Sequence, residues 1–411
     1  MTDTLLSILN QSLSQMDAEN YSASSNQSKC LEPGSKVQPW QWIDMQSICA
    51  DNYRFKQPEK HCEKATTQED LTSNTITFIN GYYVPELSVL PTGVTIDCST
   101  DEGDDLNQSM CGIIRSDHQL FASIPHVKKQ RYTLKLSGLA NLKIRHNITG
   151  SNTITANTII LKCEDASNCT IQEYYHLEGN HCCVENRWVH VSTSAKFRLT
   201  THKNLSEKSN LIRHLVVNLE QDAQMVCADY AAGGKLNHQY TQVNLNKKKA
   251  EFEFKGLTLA GMDEQHGHQV KVNHHQGYTK SKQFHRSVVD GSAKSIYSGL
   301  IYVHPHAQKV ESQQMNHHLI LADRARAVSL PQLEIHADDV VCQHGSTTGA
   351  LSTDLLWYMM SRGLDKVQAK KLLIQSFIAD VIDNCSKQEQ EALLDQVKAL
   401  LDKKTPINAI C

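Results

Sequence analysis

The chain has 411 residues and a formal net charge of −3. That length exceeds one compact core and suggests two or three domains, unless the chain is built of repeats. The small charge excludes a global field that recruits nucleic acid or anionic membrane, and no apolar run reaches the ~18 residues a membrane helix needs.

The opening stretch, MTDTLLSILNQSLSQM, has no basic n-region and no continuous apolar core, so it is not read as a signal peptide and a cytoplasmic protein is expected. Leu5, Ile8, Leu9, Leu13 and Met16 recur at helical spacing and predict a short amphipathic helix over 4–16. Residues 20–28 are polar and read as a loop. Trp40 and Trp42 open a second apolar piece that runs to Phe55, and 57–73 is polar again. Residues 1–75 are therefore read as an N-terminal helical region whose tryptophans dock it onto the strand-rich middle of the chain.

From Thr75 the pattern changes. ITFINGYYVPEL alternates and turns at Asn80-Gly81, a hairpin signal. Between Gln130 and His336 strand-like runs rich in Val, Ile, Thr and aromatics succeed one another almost without helix. Gly138, Gly150, Asn180, Gly233-Gly234, Gly277 and Gly291 punctuate them. An immunoglobulin-like sandwich takes only about 100 residues, so a repeat-built unit competes with a pair of sandwiches. No strict sequence repeat is visible. A parallel β-helix over 76–345 fits the pattern. Its inward residues are expected to stay apolar, its outward ones to include His, Lys, Asn and Gln. Helical segments at both ends are expected to cap it.

The 13 cysteines are read as free thiols, most of them packed as small hydrophobes, and no CxxC pair suggests a zinc ribbon. The 21 histidines cluster near His266–His275 and His304–His318 and are expected to be scattered surface groups.

Residues 346–411 predict three helices. Ser352 caps the first, which Gly363 stops. Asp365 with Gln368 and Ser386 with Glu389 form capping boxes for the others. Apolar residues surround most of the second helix, so it is buried on more than one face or meets a partner.

No P-loop, dinucleotide fingerprint, GxSxG or HExxH is present, so no ATP is expected to bind this chain. Asp338 and Asp339 resemble a carboxylate pair for glycoside cleavage, the chemistry of a β-helix carbohydrate-active enzyme. Adjacent strand residues face opposite ways, however, and a turn is the simpler reading. Cys342 and His344 are the best constellation. On a strand over Val340–His344 they share a face, and thiol beside imidazole suits a soft metal or sulfur.

Three stretches resemble the SufB/SufD scaffold family of iron–sulfur cluster assembly: Thr77–Thr95, Tyr302–Asp323, and Pro331–Leu351 followed by Ser361-Arg362-Gly363. The SufB type reads HEATTS where this chain has His344–Gly349, and has a Cys where Ala325 stands, so the chain resembles the SufD branch. The resemblance implies a right-handed parallel β-helix with helical regions at both ends. It implies pairing with a SufB-like sister and an ABC-type ATPase, SufC, on the C-terminal helices, with Leu372, Leu373 and Phe377 as docking residues. It implies a non-enzymatic scaffold on which a transient iron–sulfur cluster forms at the subunit interface. His344, then Cys342, are the candidate metal ligands and interface residues. The isolated chain has the option of pairing with itself.

Overall fold

The computed structural model describes residues 54–55, 74–98, 131–383 and 385–402. The helix expected over 4–16, the loop over 20–28 and the docking role of Trp40 and Trp42 fall outside the described residues.

The chain winds as a parallel β-solenoid of about eight turns, two strands to a turn. From Arg131 onward successive strands alternate between two ten-stranded sheets. In the second sheet Lys196 lies beside Gln224, Gln224 beside Glu251 and Glu251 beside Lys280, so each turn stacks in register on the last. The predicted hairpin is present: Phe78 pairs with Tyr83 and Ile79 with Tyr82, and Asn80 and Gly81 both have positive φ, as such a two-residue turn requires.

The corners explain the missing sequence repeat. Ala166, Ser194, Asp222, Lys249, Tyr278 and Lys309 occupy left-handed backbone conformation just before successive strands of the second sheet. Hydrogen bonds to the next turn hold several of them there: Ala166 N–H donates to Thr193 O (3.0 Å), Ser194 N–H to Gln221 O (2.9 Å) and Tyr278 N–H to Gln308 O (2.9 Å). Six different side chains thus perform one backbone task, and no glycine signature marks the period.

One side of the bore is apolar, running through Ile171, Leu199, Val217, Phe252 and Val272. The expectation that all inward residues are apolar fails along its middle. Glu173, Glu185, Arg187 and Arg213 are fully buried there, and Lys203, Asp229, Gln239, His268, His285, Gln314 and Asn316 continue the row. Burying such groups is tolerable because they partner one another along the bore. Lys203 Nζ lies 2.8 Å from Asp229 Oδ2 and donates to Gln239 Oε1 at 2.6 Å. The same geometry corrects the histidine reading: His266, His268, His274, His285 and His318 are buried, not surface groups. Cys163, Cys169, Cys182, Cys183 and Cys227 are buried free thiols, as expected.

Three helices close the described chain: α1 (Thr353–Ser361), α2 (Lys366–Ile382) and α3 (Lys387–Asp402). All three predicted caps form. Ser352 Oγ accepts from Leu355 N–H (3.3 Å), and the boxes at Asp365/Gln368 and Ser386/Glu389 are complete. The helices do not cap the end of the solenoid. Ile374, Ile378, Val381, Val397 and Leu400 pack on the outward residues Tyr230, Leu257, Leu259 and Val288, so α2 and α3 lie along the flank of the second sheet. The wide apolar arc of α2 is used by this flank contact and by α3. Glu389 fixes the arrangement, its free Oε1 accepting from Gln172 Nε2 (2.9 Å) and facing His202 Nε2 (2.9 Å).

Candidate functional site

Because the helices lie on the flank, the last turn is left open among the described residues. Its strands, Arg326–Ile335 and Val340–Ala350, each have one ladder neighbour and form the ends of the two sheets. An unpaired strand edge is a template for another chain, and Val341 on this edge is 68% exposed.

Register decides where the predicted pair points. Ser312 lies beside Cys342, Gln314 beside His344, Asn316 beside Ser346 and His318 beside Thr348. Ser312, Gln314, Asn316 and His318 are buried residues of the bore. Cys342, His344, Ser346 and Thr348 therefore belong to the same inward row, with no further turn among the described residues to cover them. Cys342 is half-buried against the cluster of Val303, Ala307 and Ala337, and this burial pushes its thiol above the usual cysteine range. His344 is exposed. Structure thus brings the two predicted residues to one face, as strand period requires.

Below them the polar row continues inward. Ser346 Oγ donates to Ser329 Oγ (2.7 Å), Asn316 Nδ2 donates to Ser329 Oγ (2.7 Å), and His285 Nδ1 lies 3.1 Å from Asn316 Oδ1. Gln314, directly beneath His344, is fully buried with neither end of its amide hydrogen-bonded. It fills the space over Gly299, where a Cβ would come within 2.4 Å of Gln314 Nε2. The sequence reading missed this row, because only register shows that these polar residues share one bore.

Chemically, one thiol and one imidazole offer two donors, while iron in clusters and tetrahedral metals takes four. Among the described residues no group of three or more His, Cys, Asp or Glu is arranged to hold a metal ion. Asp338 and Asp339 lie at the corner between the last two strands, where Asp339 pairs with Lys309. That is turn chemistry rather than a pair of carboxylates across a cleft.

The three predicted docking residues separate. Phe377 packs towards the solenoid, 5.5 Å from the Arg286 guanidinium, and Leu373 is half-buried. Leu372 faces outward. Around it the structure exposes groups that the sequence reading did not single out: Leu355, Trp357 (69% exposed), Tyr358 (63%) and Val367. The short α1 is apolar over several faces, and that was the available signal.

The described residues thus form a parallel β-solenoid with helices along one flank and an open last turn. Comparison with known proteins makes this specific. Residues 146–377 match the family described as SUF system FeS cluster assembly, SufBD core domain, and the chain belongs to that family. It is 26% identical to the iron–sulfur cluster assembly protein SufD of Escherichia coli (strain K12) over 348 residues, 82% of this chain and 80% of that protein. It is 24% identical to the SufBD family protein slr0076 of Synechocystis over 390 residues, 85% of this chain and 83% of that one. Protein ABCI7, chloroplastic, of Arabidopsis thaliana is 28% identical over 215 residues, 51% of this chain and 45% of that protein. The chain is a SufD-like protein of iron–sulfur cluster assembly. No helix among the described residues is long and apolar enough to cross a membrane.

Proposed function

We propose that this chain is the SufD-type subunit of a cytoplasmic SufBCD complex. Its open last turn pairs with the corresponding edge of a SufB-like sister, and the sister's residues complete the donor set begun by Cys342 and His344. The observation that carries this reading is the position of those two residues in the inward row of a turn with no successor. A partner strand continuing the ladder covers that row and encloses the cargo, an iron–sulfur cluster under construction. The chain itself binds no nucleotide and catalyses no covalent step. ATP hydrolysis belongs to a SufC-like ATPase seated on the helical flank.

Two experiments test this reading. Co-expression with SufB- and SufC-type partners should give a stable complex that assembles clusters. His344→Ala should leave the complex intact and lower the initial rate of cluster formation at least tenfold. An unchanged rate removes His344 from the site. For the ATPase, truncation after Gly363 is a poor probe, because it strips the apolar flank that α2 and α3 cover. Replacing Trp357 and Tyr358 together with Ser touches exposed groups only. Interface aromatics of this kind contribute about 2 kcal/mol each, so ATPase affinity should fall at least a hundredfold. Undiminished binding by calorimetry moves the docking surface elsewhere.

A further inference from the structure

The strands Gln265–His274, Lys294–Val303 and Arg326–Ile335 end at the same corner of successive turns. In each case the next residue is histidine: His275, His304 and His336. Their backbone N–H groups donate to the turn before, to Leu245 O (3.1 Å), His274 O (3.2 Å) and Val303 O (3.0 Å). Three imidazoles are therefore fixed one rung apart, and His306 joins them from the turn after His304. Earlier rungs of the column carry Asn246 and Glu220, which hydrogen-bond each other at 3.3 Å. The run of histidine begins only in the last three turns.

The rings are close. The centres of His275 and His304 lie 4.3 Å apart, and those of His304 and His306 lie 6.0 Å apart. Tyr302 spans the remaining gap, 4.7 Å from His304 and 5.3 Å from His336. Two imidazoles bound to one metal through nitrogens at about 2.0–2.1 Å have ring centres about 5 Å apart, between the two observed separations. Among the described residues none of the four makes a side-chain hydrogen bond or ion pair, so their ring nitrogens are uncommitted. No three donors converge on a point as the rings stand; His275 and His304 are half-buried and His306 and His336 exposed, so their side-chain torsions leave the rings room to turn.

We propose that His275, His304, His306 and His336 form a binding site for a first-row divalent metal ion. An all-imidazole set selects the iron, nickel, copper and zinc group over calcium or magnesium. The last rung, His336, lies in the same turn as Cys342 and His344, and Val303, Ala307 and Ala337 of these corners pack beneath Cys342. Ferrous iron held here stands at the mouth of the assembly edge. That use rests on the function proposed above, but metal binding at the column does not.

The test uses Co(II) as a spectroscopic probe on the full chain, made without a polyhistidine tag and stripped of metal. Wild type should take up Co(II) with visible ligand-field bands. His275→Gln combined with His304→Gln should weaken that affinity at least tenfold, and His306→Gln alone, in an exposed turn, at least threefold. His176→Gln, at an exposed histidine away from this corner, should leave it within twofold. Wild-type affinity in the double histidine variant, or binding lost instead only in a Cys342→Ser/His344→Ala variant, overturns the site. A chain that binds Co(II) at the column yet joins no partner overturns the scaffold reading and leaves the metal site standing.

Discussion

The folded chain should lose much of its stability between pH 6.5 and 4.5, before the buried Glu173 carboxyl titrates. His146, His274 and His318 are held at about 4, 3 and 4, and His268 and His285 lie well below the usual imidazole range. Burial is the main cause for all five. Neighbouring cations add to it: Arg187 and Arg213 oppose Glu173 and Glu185 at His146, and Lys203 and Arg213 act on His268. His285 and His318 face imidazoles, of His268 and His317 among others. In the unfolded chain each of these groups takes a proton near 6.5. Below that pH the unfolded state binds protons that the folded state refuses, so stability falls as pH falls. Each imidazole adds about 1.4 kcal/mol per pH unit to the slope. Five add roughly 7 kcal/mol per pH unit, against about 5–15 kcal/mol for a typical folded domain. Urea midpoints measured by circular dichroism from pH 8 to pH 4.5 should be level above pH 7 and drop steeply below 6.5. A midpoint level down to pH 4.5 means that these histidines are not desolvated as described. His285→Asn should reduce the slope by one proton.

That acid sensitivity marks the limit of the sequence reading. Alternation and turn chemistry identified strands, the Asn80-Gly81 hairpin and all three helix caps, because each signal is local. The winding was harder to see. Its period is carried by corners where Ala166, Asp222 and Tyr278 do the same backbone work with unrelated side chains. With register hidden, His268 and His285 looked like surface groups, although they belong to one buried row. That Cys342 and His344 share one face was legible from strand period. Their direction into the bore was not, since it depends on their ladder partners Ser312 and Gln314. The helical flank was misplaced for a related reason. Nothing in the sequence separates the apolar outward residues Tyr230, Leu257 and Val288 from inward ones, and only the fold shows that they are the seat of α2 and α3.

Arg213→Met should destabilise the chain by about 3–5 kcal/mol and lower its melting temperature by about 10 °C. Arg213 sits in a closed, fully buried set of two guanidiniums and two carboxylates. Its guanidinium pairs with Glu173 and lies 3.3 Å from Glu185, and it donates to Thr201 Oγ1 at 3.1 Å. Arg187 lies 2.8 Å from Glu173 and 3.2 Å from Glu185 and donates to the Tyr175 hydroxyl at 3.1 Å. Burial alone would raise the Glu173 carboxyl, but the two arginines hold it at about 2. The set is neutral, and removing one guanidinium leaves a surplus negative charge with no water to solvate it. The measurement belongs at pH 8. There the Glu173 contribution, lost only as pH falls from 4.5 towards 2, is fully present, and the histidines add no slope. Adding Glu173→Gln to Arg213→Met removes the surplus charge and should recover a large part of the loss, a coupling of about 1–3 kcal/mol in a double-mutant cycle. Additive losses would show that the four groups do not act as one unit. The bore would then be an apolar core that tolerates charges, rather than a polar row held together by them from Glu173 to the open edge at Ser346.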